Sequence, residues 1–217
     1  MMDCVFFGRS SGYLVVRDPH QRMNIYWSEI AHESIKEYKC ARDTLESLGY
    51  EIEAVVVDGK RGLTRLFGDI PVQMCLFHQV AAIRRYLTTR PRLEAGQELK
   101  ELTRKLGDIC EVCFASELAR WHEKWRVFLA EKTVNIKTGK SHYTHRRLRS
   151  AYFSLKRNLS LLYTHKKYSS LNIPTTTNGL ESSFAYLKEL VRVHRGLSND
   201  LKRKMIDSIL QNRPSKT

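Results

Sequence analysis

The stretch IEAVVVDG, residues 52–59, decides how the rest of this chain is read. Ile52 to Val57 is a nearly continuous apolar run rich in β-branched residues, which suits a strand buried on both faces. It ends on Asp58-Gly59, so the strand delivers a carboxylate at its tip. Upstream, Glu33–Leu48 place Ile35, Tyr38, Leu45 and Leu48 at helical spacing, and Gly49 closes the segment as a C-terminal glycine does. Three short strand patterns come before it: Cys4–Phe7, Gly12–Arg17 and Asn24–Trp27. Gly8 and Gly12 flank one turn and Asp18-Pro19 marks another, which predicts an antiparallel meander. Downstream, Arg61–Phe67 reads as a short helix and Val72–Leu76 as a further strand.

Three meandering strands, a helix, a buried strand, a helix and another strand are the parts of an α/β, RNase H-like mixed sheet. From about Gln79 to His165 the chain becomes helical and charged. Leu99, Leu102, Leu106 and Ile109, then Leu118, Trp121, Trp125 and Phe128, are spaced as on buried helix faces. The last part opens with Pro174 and three threonines and runs as an amphipathic helix from Gly179 to Val193. A turn at His194-Arg195-Gly196 and a basic helix from Asn199 follow. The expected organisation is therefore a core in two parts, residues 1–85 and 171–217, interrupted by a helical basic insertion over 86–170. No internal repeat or low-complexity tract interrupts it.

A chain of 217 residues with 42% hydrophobic content can bury a full core, which excludes disorder as a description of the whole. Its 37 Lys and Arg against 23 Asp and Glu leave a net charge of +14 and a pI near 9.7, which points to a polyanionic partner. Residues 137–157, KTGKSHYTHRRLRSAYFSLKR, interleave Lys140, Arg146, Arg147, Arg149, Lys156 and Arg157 with Tyr143, Tyr152 and Phe153. That mixture suits phosphate contact and base stacking, and equally a solvated helix face with its apolar side in the core. No run approaches the roughly 20 apolar residues of a membrane span, and MMDCVFFGRSSG lacks the pattern of a signal peptide, so a cytoplasmic location without membrane contact is expected. The five cysteines are odd in number and scattered, which favours reduced thiols over a disulfide framework.

Three acids stand out as candidate ligands for hard cations: Asp3 in the first strand pattern, Asp58, and Glu181 near the start of the late helix. Each also has a structural explanation. Asp3 lies near the start of the sequence, Asp58 can open the turn with Gly59, and Glu181 has the spacing of a capping box with Asn178. The segments LVVRD (14–18), VVVDGKRGLTRLF (55–67), VQMCLFHQ (72–79) and TTTNGLESSFAYLKELVRVHRGLS (175–198) resemble the core of bacterial insertion-sequence transposases in the branch related to the Mutator-like elements. That family shares an Asp, Asp, Glu triad, and the resemblance spans nearly the whole chain. It matches Asp3, through DCVFFGRS, to the first acid, Asp58 to the second and Glu181 to the third. It implies two Mg²⁺ ions, for which Mn²⁺ can substitute, held by these carboxylates.

The resemblance further implies cutting and joining of DNA at transposon ends and target, a homodimer or higher assembly on the DNA, and a bacterial, nucleoid-associated setting. Cys75 and His78 match the family's Cys-x-x-His pair, which lies close to the acids; a hydrogen-bonded core histidine is the other reading of His78. Lys60 and Arg61 beside Asp58, and His194 and Arg195 after the Glu181 helix, are candidate phosphate contacts. Only Met1 and Met2 precede Asp3, so the expectation is a catalytic part without the N-terminal DNA-binding module. The alternative is a chain that binds DNA without cutting it. Cys75, His78, Cys110 and Cys113 have the spacing of a four-ligand zinc site, against which stands the helical periodicity around the second pair.

Overall fold

Strands β1 (Met2–Phe6), β2 (Gly12–Asp18) and β3 (Met23–Ile30) form an antiparallel meander, with Asp3 opposite Val15 and Val15 opposite Trp27. The computed structural model describes residues 1–9 and 11–211; Ser10 and residues 212–217 of the expected last segment lie outside the described residues. Side chains alternate across a strand, and the two faces of this sheet have separate cores. Met2, Leu14 and Val16 pack with Tyr38, Ala41 and Leu45 of helix α1 (Ile35–Ser47). Val5, Tyr13 and Val15 pack with Leu180, Phe184 and Leu187 of helix α8 and Ile206 and Leu210 of helix α9. These two late helices span Asn178–Val193 and Asn199–Gln211.

The apolar run 52–57 contributes a shorter strand than expected, β4 (Val55–Val57), since Glu51 and Glu53 lie exposed. It pairs in parallel with β5 (Val72–Met74), Val56 opposite Gln73, and lies beside β1. Helix α2 (Leu63–Leu66) bridges the pair. Strand β5 also ends earlier than its apolar pattern suggested. Cys75 caps helix α3 (Leu76–Leu87), and Leu76 already belongs to the helix.

Helix α3 then packs with α4 (Glu94–Arg104), α5 (Glu111–Ala130) and α6 (Arg146–Leu162) around Ile83, Leu99, Phe114, Leu118, Trp121 and Leu155. The segment is not wholly helical. A hairpin of β6 (Lys132–Val134) and β7 (Ser141–Tyr143) separates α5 from α6. Its turn forms because the Asn135 side chain accepts from the backbone N–H of Lys137 and of Thr138, while Gly139 adopts φ +65°. No helix among the described residues is long and apolar enough to cross a membrane.

The helical layer is strapped to β5 by two buried polar side chains. Gln73, fully buried, donates through Nε2 to the Leu162 carbonyl at 3.1 Å and accepts through Oε1 from the His165 backbone N–H at 2.9 Å. Thr164, at the start of α7 (Thr164–Lys167), donates through Oγ1 to the Val72 carbonyl at 2.7 Å. An apolar residue in place of Gln73 leaves a carbonyl and an N–H unpaired in the interior, at about 1–3 kcal/mol each. Gln73→Leu is accordingly expected to lower the unfolding free energy by about 2–4 kcal/mol in urea titrations, whereas exposed Gln97→Ala should change it by less than about 0.5 kcal/mol.

Candidate active site

Asp3 occupies an odd position in β1, so the alternation that turns Val5 toward α8 turns Asp3 the same way. It is about 9% exposed, and one carboxylate oxygen accepts from the Cys4 backbone N–H at 2.8 Å. Burial raises its carboxyl to about 6, and the negative charges of Asp58 and Glu181 push in the same direction, against the Cys4 N–H and the His78 charge. Asp58 and Glu181 thus both lie near enough to act on Asp3, although more than fifty residues separate each acid from the next in sequence.

Asp58 follows β4 directly. Its Oδ1 accepts from the Lys60 N–H at 2.9 Å, closing a turn that needs Gly59 at φ +85°. A β-carbon at position 59 would also meet the flexible end of the Met74 side chain, but it is the positive φ that favours glycine there. Turn formation engages one Asp58 oxygen and does not use the second.

Glu181 does not serve a capping box. Helix α8 begins at Asn178 with Thr177 as N-cap, which puts Glu181 one position beyond the residue a capping box uses. Its Oε1 instead accepts from the Thr177 hydroxyl at 3.2 Å and lies 3.7 Å from His78 Nδ1.

Cys75 and His78 flank the acids from the first turn of α3. The buried Cys75 sulfur accepts from the Thr177 N–H at 3.3 Å and lies 3.4 Å from the Thr177 hydroxyl, whose single proton is shared between this sulfur and Glu181. Burial by itself would raise this thiol, but hydrogen bonds from His78 and Thr177 outweigh it and hold Cys75 below its ordinary value. The hydrogen bond to Cys75 lifts His78 to about 9 despite partial burial, and the charges of Cys75, Asp3 and Glu181 add to the effect. A positively charged imidazole is therefore favoured between the Cys75 sulfur and Glu181. Thr177, which joins all of these groups, had no distinguishing signal in its run of three threonines beyond adjacency to the Asn178-Gly179 turn.

The candidate cations divide into two groups. Arg61, Arg146, Arg149 and Arg157 line one concavity of about 380 Å³ together with Tyr86, Tyr143 and Phe153. Arg149 stacks 3.6 Å over the Tyr143 ring and donates to the Leu129 carbonyl. None of the four forms an ion pair among the described residues. Tyr86 is the member that sequence reasoning missed, although Arg84-Arg85 beside it carried the same basic and aromatic mixture.

Of the other candidate cations, Lys60 and Arg147 have partners within the protein and the rest are exposed. Lys60 turns away from a phosphate role, its Nζ bonded to the Glu33 carbonyl at 2.9 Å and 3.3 Å from the Glu33 carboxylate. Arg147 is drawn to the Arg85 carbonyl. Lys140 is exposed in the hairpin turn, and Lys156 lies 6.0 Å from the Tyr152 ring. His194 and Arg195, both exposed, follow thirteen residues after Glu181 on α8, about 20 Å along the axis, so they do not join the acids.

The cysteine expectation also needs correction. Cys110 and Cys113 are joined in a disulfide at the start of α5, where three-residue spacing puts both sulfurs on one helix face, so the five thiols are not all free. They supply no ligand to Cys75 and His78, whose third neighbour is Glu181, and the four-ligand zinc arrangement does not form.

Comparison with protein-family models, with curated proteins and with solved structures gave no match.

A carboxyl raised from 3.8 to about 6 on folding binds its proton more tightly in the folded state, so its contribution to stability is greatest below about pH 4 and declines as pH rises through about 6. In metal-free buffer Asp3→Asn is expected to be more stable than the parent at pH 7.5, by up to about 3 kcal/mol, with the gain vanishing near pH 4. Thermal melts in a chelator at the two pH values measure this.

Proposed function

We propose that this chain is the catalytic part of a DNA transposase of the Asp-Asp-Glu kind, built on an RNase H-like arrangement of strands. The observation that carries the proposal is the placement of Asp3, Asp58 and Glu181: on the first strand, at the end of the adjacent strand β4, and in the first turn of a late helix packed on β1. Further support comes from the three-stranded sheet β1-β2-β3, with the separate parallel pair β4-β5 packed so that β4 lies against β1. The unpaired arginines and aromatic rings of the concavity favour a nucleic-acid substrate.

The donor set fits hard divalent cations. Carboxylate oxygens are their preferred ligands, and an acid raised by burial, with two like charges adding to the effect, is an environment that such a cation relieves. Asp3, Asp58 and Glu181 would hold Mg²⁺, or Mn²⁺ in its place. When bound, a pair of such ions supplies activation of an attacking oxygen and charge stabilisation of the leaving one. The protein's own groups orient the substrate. The His78 imidazolium offers positive charge beside Glu181, and Arg61, Arg146, Arg149 and Arg157 grip the DNA backbone.

The proposed activity is hydrolysis of one DNA strand at a transposon end and displacement at a target strand by the freed 3′-hydroxyl, with no covalent protein intermediate. Two DNA segments must then be held together, which favours a homodimer or larger assembly in the bacterial cytoplasm.

Duplex nicking in Mg²⁺ is the test. Asp58→Asn and Glu181→Gln should each lower the rate by about 100-fold or more while DNA binding in a chelator persists. Parent protein that binds DNA indifferently to Mg²⁺ and cuts none would instead be a DNA-binding chain without chemistry. Arg149→Ala and Arg157→Ala should each weaken binding to all sequences and flatten the log K against log salt slope by about 1.

A further inference from the structure

We propose that Cys75, His78 and Glu181 form a binding site for a soft divalent cation, Zn²⁺, that draws on the same glutamate as the acidic cluster. The sulfur, an imidazole nitrogen and a carboxylate oxygen lie within 4.8 Å of one another, two contributed by the first turn of α3 and one by the first turn of α8. The fold produces this meeting in two steps. Cys75 caps α3 and His78 follows three residues later, which puts both on one side of the helix start. A backbone bond from the Leu76 N–H to the Thr175 carbonyl, 2.9 Å long, ties that turn to the segment entering α8.

The ligand chemistry selects the ion. Thiolate and imidazole favour Zn²⁺ over Mg²⁺, and three protein ligands with a fourth position open is a recurring zinc arrangement. With metal–ligand bonds of about 2.0–2.3 Å, tetrahedral ligands stand roughly 3.3–3.8 Å apart. His78 Nδ1 and Glu181 Oε1 are already 3.7 Å apart. The Thr177 N–H and hydroxyl hold the sulfur in place, as outer partners do around metal ligands. The site stands on this geometry alone. Its consequence rests on the proposed function: a Glu181 engaged by Zn²⁺ is withdrawn from the Mg²⁺ ligands, so Zn²⁺ acts as an inhibitor of cutting.

The test uses the full chain carrying Cys110→Ser and Cys113→Ser, which removes the other cysteine pair. Co²⁺ serves as the spectroscopic probe and Zn²⁺ as its competitor. One equivalent of Co²⁺ should give a thiolate-to-cobalt charge-transfer band that stoichiometric Zn²⁺ bleaches and millimolar Mg²⁺ does not. Cys75→Ser should abolish the band, and His78→Asn and Glu181→Gln should each weaken Co²⁺ binding at least tenfold. Circular dichroism checks the folding of each variant, and if Cys75→Ser fails to fold the other two decide the matter. Absence of the band, its persistence in the variants, or displacement by Mg²⁺ overturns the site. Failure of Co²⁺ and Zn²⁺ binding in protein that still nicks DNA removes this inference alone. Zinc binding in protein that never nicks DNA keeps the site and removes the proposed function.

Discussion

Alternation along β1 and β2 is the constraint on which this structure depends. Even-numbered positions Met2, Leu14 and Val16 fill the core beneath α1, and odd-numbered Val5, Tyr13 and Val15 fill the core beneath α8 and α9. Asp3 is carried by the same rule to the face that meets the late helices. A slip of one residue would reverse every side chain, turning Asp3 into the core beneath α1 and filling both cores with side chains of the wrong shape. Two apolar clusters thus hold in place a carboxyl whose own burial opposes folding at neutral pH.

Around that buried acid the fold collects groups that a purely structural site would avoid. Asp58 arrives at the end of a strand whose three valines are all buried, and Glu181 from a helix start whose cap is its neighbour Thr177. His78 lies beside Glu181 and is itself shared with a buried sulfur.

The positive charge of the chain is gathered elsewhere. Gln73 and Thr164 bind the helical layer to β5, and that layer carries the arginine and tyrosine concavity. Arg146, Arg149 and Arg157 of that concavity lie on α6, whereas Asp3 lies on β1, Asp58 at the end of β4 and Glu181 on α8. The strap at β5 passes through the strand that leads directly into Cys75 and His78, so the same few residues support both regions.

Much of this was legible in sequence because it follows from local periodicity. The three strand patterns, the helix before Gly49, the valine run ending at Asp58, and the late amphipathic helix all follow from spacing that any short window contains. Asp3, Asp58 and Glu181 were nameable as candidates through motif resemblance. What spacing could not reveal was which groups meet. Capture of Lys60 by Glu33, the distance of His194 and Arg195 from the acids, and the partnership of Thr177 and Glu181 with Cys75 and His78 were decided by tertiary structure. The Cys110–Cys113 bond and the hairpin between α5 and α6 were also beyond it, because short competing signals there were outweighed by the surrounding helical pattern. Local sequence sets the face on which a side chain emerges; only packing between distant segments sets what it faces, because that choice is made by burial summed over the whole chain.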